Sequence, residues 1–281
     1  MIVGQMKKGL YIVDHKIGDS DGGVDRKVLS QVKAFRDSGL DIKLSEYDYT
    51  QDASVAKKIW HRLPFTNVLP KWEYRDEFAK VDFIYIRKTF NGLSFIKMLR
   101  QIRLNNPQIK IVMEIPTYPY DSELRGKIID YPLLWKDKLV RNKYKNLLNF
   151  IATVGNEQEI FDVKTLKIFN GFDFDAYPIR GMRKKDGAIN LICVAYFYSF
   201  CGYDRLIEGL YRYKQNGGTK KVVIHFVGDG PSLNDYKVLV DKYKLRDDII
   251  FYGKKTKQEI ERLYDKCDIG GRRLYPAPSR K

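Results

Sequence analysis

The sequence predicts an α/β protein of two Rossmann-like lobes, the second incomplete. Three observations carry this. From Gly9 onward, short apolar runs alternate with amphipathic helical stretches. The runs are nearly continuous in apolar residues, as parallel strands covered on both faces are. The alternation also restarts after residues 175–188, which lose periodicity and gather Pro178, Gly181 and Gly187. This gives a first lobe over 1–174, a linker over 175–188, a partial second lobe over 189–268 and an unrelated tail over 269–281.

The chain opens with a strand, Gly9-Leu10-Tyr11-Ile12-Val13-Asp14, a loop to Gly23, and a helix read from Val24, Val28, Leu29, Val32 and Phe35. Gly22 and Gly23 stand at the helix start, where bare amides and the positive dipole end face whatever lies above the strand. A tight turn without a ligand would use the same glycines. Ile42-Lys43-Leu44 is the second strand. Residues 50–80 are irregular, with two short helical pieces punctuated by Pro64 and Pro70. Val81 to Arg87 is the next strand, and Leu93, Ile96, Leu99 and Ile102 line a helix that stops at Asn105-Asn106-Pro107.

Lys110 to Ile115 delivers Glu114 to the carboxyl end of a buried strand, followed by Pro116-Thr117-Tyr118-Pro119-Tyr120-Asp121. Open parallel sheets bind ligands beyond those ends. Glu114 and Tyr118 are therefore candidates for contact with a polyhydroxylated ligand. A Pro-stiffened loop with a helix-capping Glu reads equally well. Residues 123–148 form a basic amphipathic helix, better read as packed on the core with a solvated Lys/Arg face than as membrane-bound. Two further strands, residues 150–154 and 166–169, run into Asn170-Gly171-Phe172-Asp173.

In the second lobe, Asn190 to Ala195 is a strand, and Gly202 precedes a helix with Leu206, Ile207, Leu210 and Tyr213. The strand Val222 to Val227 meets Gly228-Asp229-Gly230-Pro231, with Pro231 placed as the first residue of a helix. The strand Ile249 to Gly253 and a helix from Thr256 follow, with Glu259 completing a capping box. Cys267-Asp268-Ile269 begins a last strand, and the pattern fails from Gly270.

The chain of 281 residues carries a net charge of +16, which predicts attraction to polyanions such as nucleic acid, anionic lipid or phosphorylated substrates. Its three cysteines form no metal-ligand spacing and suit a reducing cytoplasm. No apolar run is long enough for a membrane span, so a soluble or surface-attached protein is expected.

In this order the motifs resemble the GT-B glycosyltransferases, specifically the large retaining, nucleotide-sugar-dependent family (glycosyl transferases group 1, family 4 type). The Gly22-Gly23 loop, Asn170-Gly171-Phe172-Asp173, Gly202 to Leu210, Val227 to Pro231 and Glu259 to Asp268 carry the resemblance. It implies transfer of a sugar, with retention, from a nucleotide-diphosphate sugar to a saccharide or lipid-linked acceptor in surface polysaccharide biosynthesis. It implies no metal and no other cofactor, no nucleic-acid partner, and a cytoplasmic enzyme, peripheral at the inner face of an anionic membrane. Fixed donors would meet the charge of the leaving diphosphate. Accordingly Asp19-Ser20-Asp21 and Asp173-Phe174-Asp175 are read as turn chemistry rather than metal sites. Gly22 and Gly23 are expected at acceptor or diphosphate, Glu114 (catalytic) and Tyr118 at the sugar cleft, and Gly202 at the donor diphosphate.

Two departures weigh against activity. Tyr196 and Cys201 hold the positions where the family places Arg and Lys, and the family's Glu-x7-Glu motif is absent after residue 268. A truncated, inactive donor lobe is therefore expected. The alternative is a non-catalytic basic protein that binds an anionic membrane or another polyanion.

Overall fold

The computed structural model describes residues 6–18, 23–47, 54–60, 72–121, 131–169 and 187–271, with Leu63, Thr66 and Gly171. It divides into two compact units, Met1–Phe174 and Asp175–Lys281.

Unit 1 is built on a seven-stranded sheet. Its strands are β1 (Lys8–Val13), β2 (Asp41–Glu46), β3 (Phe83–Arg87), β4 (Lys110–Ile115), β5 (Phe150–Thr153), β6 (Glu159–Ile160) and β7 (Val163–Lys167). The order is β2-β1-β3-β4-β5-β7-β6, parallel except for the β6–β7 hairpin. The helices are α1 (Gly23–Asp37), α2 (Val55–Trp60), α3 (Leu93–Asn105) and α4 (Tyr131–Arg141). Strand side chains alternate between two cores. Ile84, Ile86 and Met113 pack with Phe95, Leu99 and Val140 on one face. Tyr11, Val13 and Tyr85 pack with Val28 and Val32 on the other.

Unit 2 has a four-stranded parallel sheet in the order β10-β9-β8-β11. Its strands are β8 (Ile189–Val194), β9 (Val222–Val227), β10 (Ile249–Phe251) and β11 (Ile269–Gly271), with α5 (Tyr203–Gln215), α6 (Leu233–Lys242) and α7 (Lys257–Tyr264). Phe197, Tyr203, Phe226 and Tyr236 form an aromatic core that also encloses Cys193 and Cys201. The Thr256–Glu259 capping box is present in both directions.

Several expectations need correction. Val24, Leu29 and Leu93 are exposed, because the buried stripe of α1 turns through Asp25, Val28 and Val32 and that of α3 begins at Phe95. The helix expected over 123–148 is described only from Tyr131 and ends at Arg141, where a short 3₁₀ turn takes over at Tyr144–Asn146. Pro231 lies in the turn before α6, whose N-cap is Ser232. The β6–β7 hairpin adds β6 ahead of the strand expected over 166–169, which runs instead as β7 over Val163–Lys167. Its two-residue strand β6 is too short to show a period.

The Val227–Pro231 turn is fixed by close approach. A Cβ on Gly228 (φ +134°) would stand 1.8 Å from the Ala195 carbonyl oxygen, and one on Gly230 (φ +152°) 2.5 Å from Phe197 backbone. Only glycine fits both the space and the angle. Gly230→Ala should therefore destabilise unit 2 by about 3 kcal/mol or more, read as a lower urea midpoint at unchanged m.

Candidate functional site

A cleft of about 390 Å³ opens at the carboxyl ends of β1, β3 and β4 in unit 1. Asp14 and His15 come from the β1 exit, Arg87, Lys88 and Thr89 from the β3 exit, and Thr117 and Tyr120 from the loop after β4. Val24 borders it from the first turn of α1, so the positive end of that helix lies at the rim. Topology explains the gathering: every parallel strand releases its next residues at the same sheet edge.

Glu114 is the last residue but one of β4, near its carboxyl end as expected, but its carboxylate is fully buried and engaged by protein donors. Oε1 takes Arg87 Nη1 at 2.9 Å and Lys27 Nζ at 3.2 Å. Oε2 accepts from Tyr85 OH at 3.0 Å and from Gln31 Nε2 at 3.1 Å. Gln31 in turn accepts from Tyr11 OH at 2.7 Å. Burial pushes both tyrosine hydroxyls up, and the Glu114 charge adds to it, so they stay protonated donors. Instead of facing a sugar, Glu114 fastens α1 and the β3 exit to the sheet.

A second network lies against the cleft. Asp137 of α4 accepts from four donors: Lys88 Nζ (2.6 Å), the Asn91 amide (3.0 Å), Tyr120 OH (2.6 Å) and Arg141 Nε (2.9 Å). Burial pushes its carboxyl up, yet Lys88 and the hydrogen bonds outweigh this and hold it below the usual range. Lys88 also donates to the Thr89 carbonyl, and its ammonium lies 4.6 Å from the Tyr120 ring centroid. Burial pushes the Lys88 ammonium down against the pull of Asp137, and its several partners hold the group in one place.

His15 links the β1 exit to α1. Its Nδ1 meets Asp14 Oδ1 at 2.9 Å and its Nε2 meets buried Asp25 Oδ1 at 3.0 Å. The Asp14 hydrogen bond, with Asp25 beyond it, raises the imidazole from 6.5 to about 8. With both nitrogens facing carboxylates, the ring is an imidazolium near neutral pH and offers no free lone pair.

Of the other expected site residues, Gly23 is the exposed first residue of α1, and Gly22 lies outside the described residues, as do the two Asp-x-Asp segments. Tyr118 is half-buried edge-on against Phe161, 5.9 Å between ring centroids. Gly202, in unit 2, is buried in a left-handed conformation (φ 73°) as the N-cap of α5. There the β8 exit carries Tyr196 and Tyr198, exposed and 5.0 Å apart between ring centroids. Cys201 is buried with its thiol toward the Tyr196 carbonyl. Gly228 N donates to the Gly253 carbonyl at 2.8 Å, which brings the β9 and β10 exits together beside them.

Sequence reasoning missed His15, Arg87, Lys88 and Tyr198 as site residues, and read Tyr196 only as the loss of a cation. The rule that singled out Glu114, a polar residue at the carboxyl end of a strand, applies to all of them.

Residues 180–270 match the family described as Glycosyl transferases group 1. No curated protein sequence matches the chain. Among solved structures, an alpha-glucosyltransferase in complex with UDP-glucose and DNA containing an abasic site superposes with TM-score 0.57 at 14% identity, over 96% of this chain and 73% of that one. Anabaena Alr3699/HepE in complex with UDP gives 0.55 at 13%, over 97% and 75%. A glycosyltransferase from Rickettsia africae ESF-5 gives 0.55 at 15%, over 94% and 72%. The fold is that of the GT-B glycosyltransferases.

Two outcomes follow from the networks in unit 1. Glu114→Ala leaves Arg87 and Lys27 without their shared anion and should cost about 3–5 kcal/mol in chemical denaturation. The His15 imidazole is raised on folding, so its contribution is complete below pH 6.5 and disappears as pH rises through about 8. The melting temperature should fall across that window in the native chain, with a smaller drop in His15→Gln.

Proposed function

We propose that this chain, a GT-B-fold protein whose second unit carries the group 1 glycosyl transferase sequence, is a retaining glycosyltransferase. The donor is a nucleotide-diphosphate sugar held in unit 2. The acceptor is a saccharide or lipid-linked saccharide in surface polysaccharide biosynthesis, held in the cleft of unit 1. The observation that carries this reading is the overlap of the family match with the loops at the carboxyl ends of β8, β9 and β10. The Anabaena structure solved with UDP and the alpha-glucosyltransferase solved with UDP-glucose support a nucleotide-sugar donor.

In unit 2 the amides of the first turn of α5, beyond Gly202, supply the positive end of a helix dipole for the diphosphate. No permanent charge stands at Tyr196 or Cys201, so stabilisation of the leaving group falls on such amides. Tyr196 and Tyr198 offer π-faces to a base or a sugar ring. In unit 1, Asp14 is the partly exposed carboxylate of the cleft and accepts from acceptor hydroxyls, while Arg87 and Lys88 favour an anionic acceptor group. Glu114 is a positioning residue that keeps Arg87 in place. No metal enters this scheme.

A second reading, a basic protein on an anionic membrane, draws on α4. Tyr131, Trp135 and Leu139 are exposed at four-residue spacing on a helix that also carries exposed Lys138. Among the described residues no helix is long and apolar enough to cross a membrane.

Calorimetric titration with UDP separates the two. Saturable binding is expected, weakened about tenfold in Tyr196→Ala/Tyr198→Ala, since stacking contributes roughly 1–3 kcal/mol per base. Retention on anionic vesicles with no heat from UDP would favour the second reading.

A further inference from the structure

Unit 1 holds another cavity, of about 580 Å³, between residues 72–74 and the flank of α3. Neither half of the glycosyl-transfer scheme uses it. Its apolar surface comes from Trp72, Tyr74, Ile96 and Leu93, and Leu93 is two-thirds exposed (67%) at the head of α3. Trp72 is held rigidly, its ring 4.7 Å from that of Tyr47 and 5.2 Å from that of Phe95 between centroids.

The same walls carry three cations, Lys97, Arg100 and Lys143, against one carboxylate, that of exposed Glu73. None of the three cations makes an ion pair among the described residues. Lys97 and Arg100 stand three residues apart on α3, one turn of the same helix face. Two wall residues also hold polar atoms without a protein partner. Trp72, 3% exposed, has no acceptor for its Nε1–H, and the Ser94 hydroxyl in the first turn of α3 is unpaired. Both atoms are shut off from solvent, so they lie behind the wall of the cavity and are not presented to its contents.

A wall that joins apolar side chains to cations without an ion-pair partner is complementary to one ligand chemistry. We infer that this cavity binds a phosphate monoester attached to an apolar body. The phosphate supplies several acceptor oxygens and a double charge for Arg100, Lys97 and Lys143. The apolar body covers Leu93 and lies along Trp72 and Tyr74. Both a small soluble phosphate ester and a lipid headgroup present that phosphate. The site is independent of the reading given above, whose donor loops belong to unit 2.

The test uses the full chain and two probes, phenyl phosphate and dihexanoyl phosphatidic acid below its micellar concentration, titrated by calorimetry. Saturable binding of either is expected, weakened about tenfold or more in Lys97→Glu/Arg100→Glu. Both substituted positions are exposed, and a circular-dichroism melt checks that the variant folds. Lys143→Glu repeats the test from outside α3. Tighter binding of the phosphatidic acid assigns a lipid headgroup; equal binding of both probes assigns a soluble ester. No saturable binding of either probe, or an unchanged Kd in both charge-reversal variants, overturns the inference.

Discussion

A carboxylate with no access to water, at the end of the central strand β4, organises unit 1. Desolvating it is costly, and it persists because two cations and two neutral donors converge on its oxygens. Those partners come from β3 and α1, and Tyr11 of β1 joins through Gln31 and by a longer bond of its own to Oε2, at 3.5 Å. The sheet and α1 are thus held by a charge that none of them could bury alone. Holding Arg87 also fixes its neighbour. Consecutive residues leave a strand on opposite sides, so Arg87 turns to Glu114 and Lys88 to Asp137 on α4. Two ion networks, one on each face of the sheet, set the walls of the cleft between them.

The two units reach a defined loop geometry by different means. In unit 1, charged and phenolic side chains with several partners each determine where the strand exits point. Such over-determined groups reorganise little when a ligand arrives, which is the electrostatic advantage of a preformed site. Unit 2 relies on the backbone: Gly228 and Gly230 lie directly on Ala195 and Phe197, with no side chain between them.

The fold was legible because apolar periodicity reports burial on a parallel sheet, and β4, β9 and the Thr256 cap are local features. The exposed faces of α1 and α3 were not, since Val24, Leu29 and Leu93 satisfy helical spacing without facing the core. Spacing shows which residues share a stripe, and the neighbours decide which stripe is covered. The site was read least well for a similar reason. Glu114 was found from its position at a strand end, but its enclosure depends on Lys27, Gln31 and Arg87, which lie 87, 83 and 27 residues away. His15 was overlooked because its second carboxylate, Asp25, lies across a loop on α1.

The packing around the thiols has a practical side. Burial pushes Cys193 up to about 12, so it offers no thiolate at ordinary pH, and Cys201 is enclosed in the same aromatic core, out of reach of a bulky reagent. Cys267, past the end of α7, is partly exposed. A maleimide dye would attach there with marked preference, giving a fluorescent reporter on unit 2 without engineering out a single native cysteine.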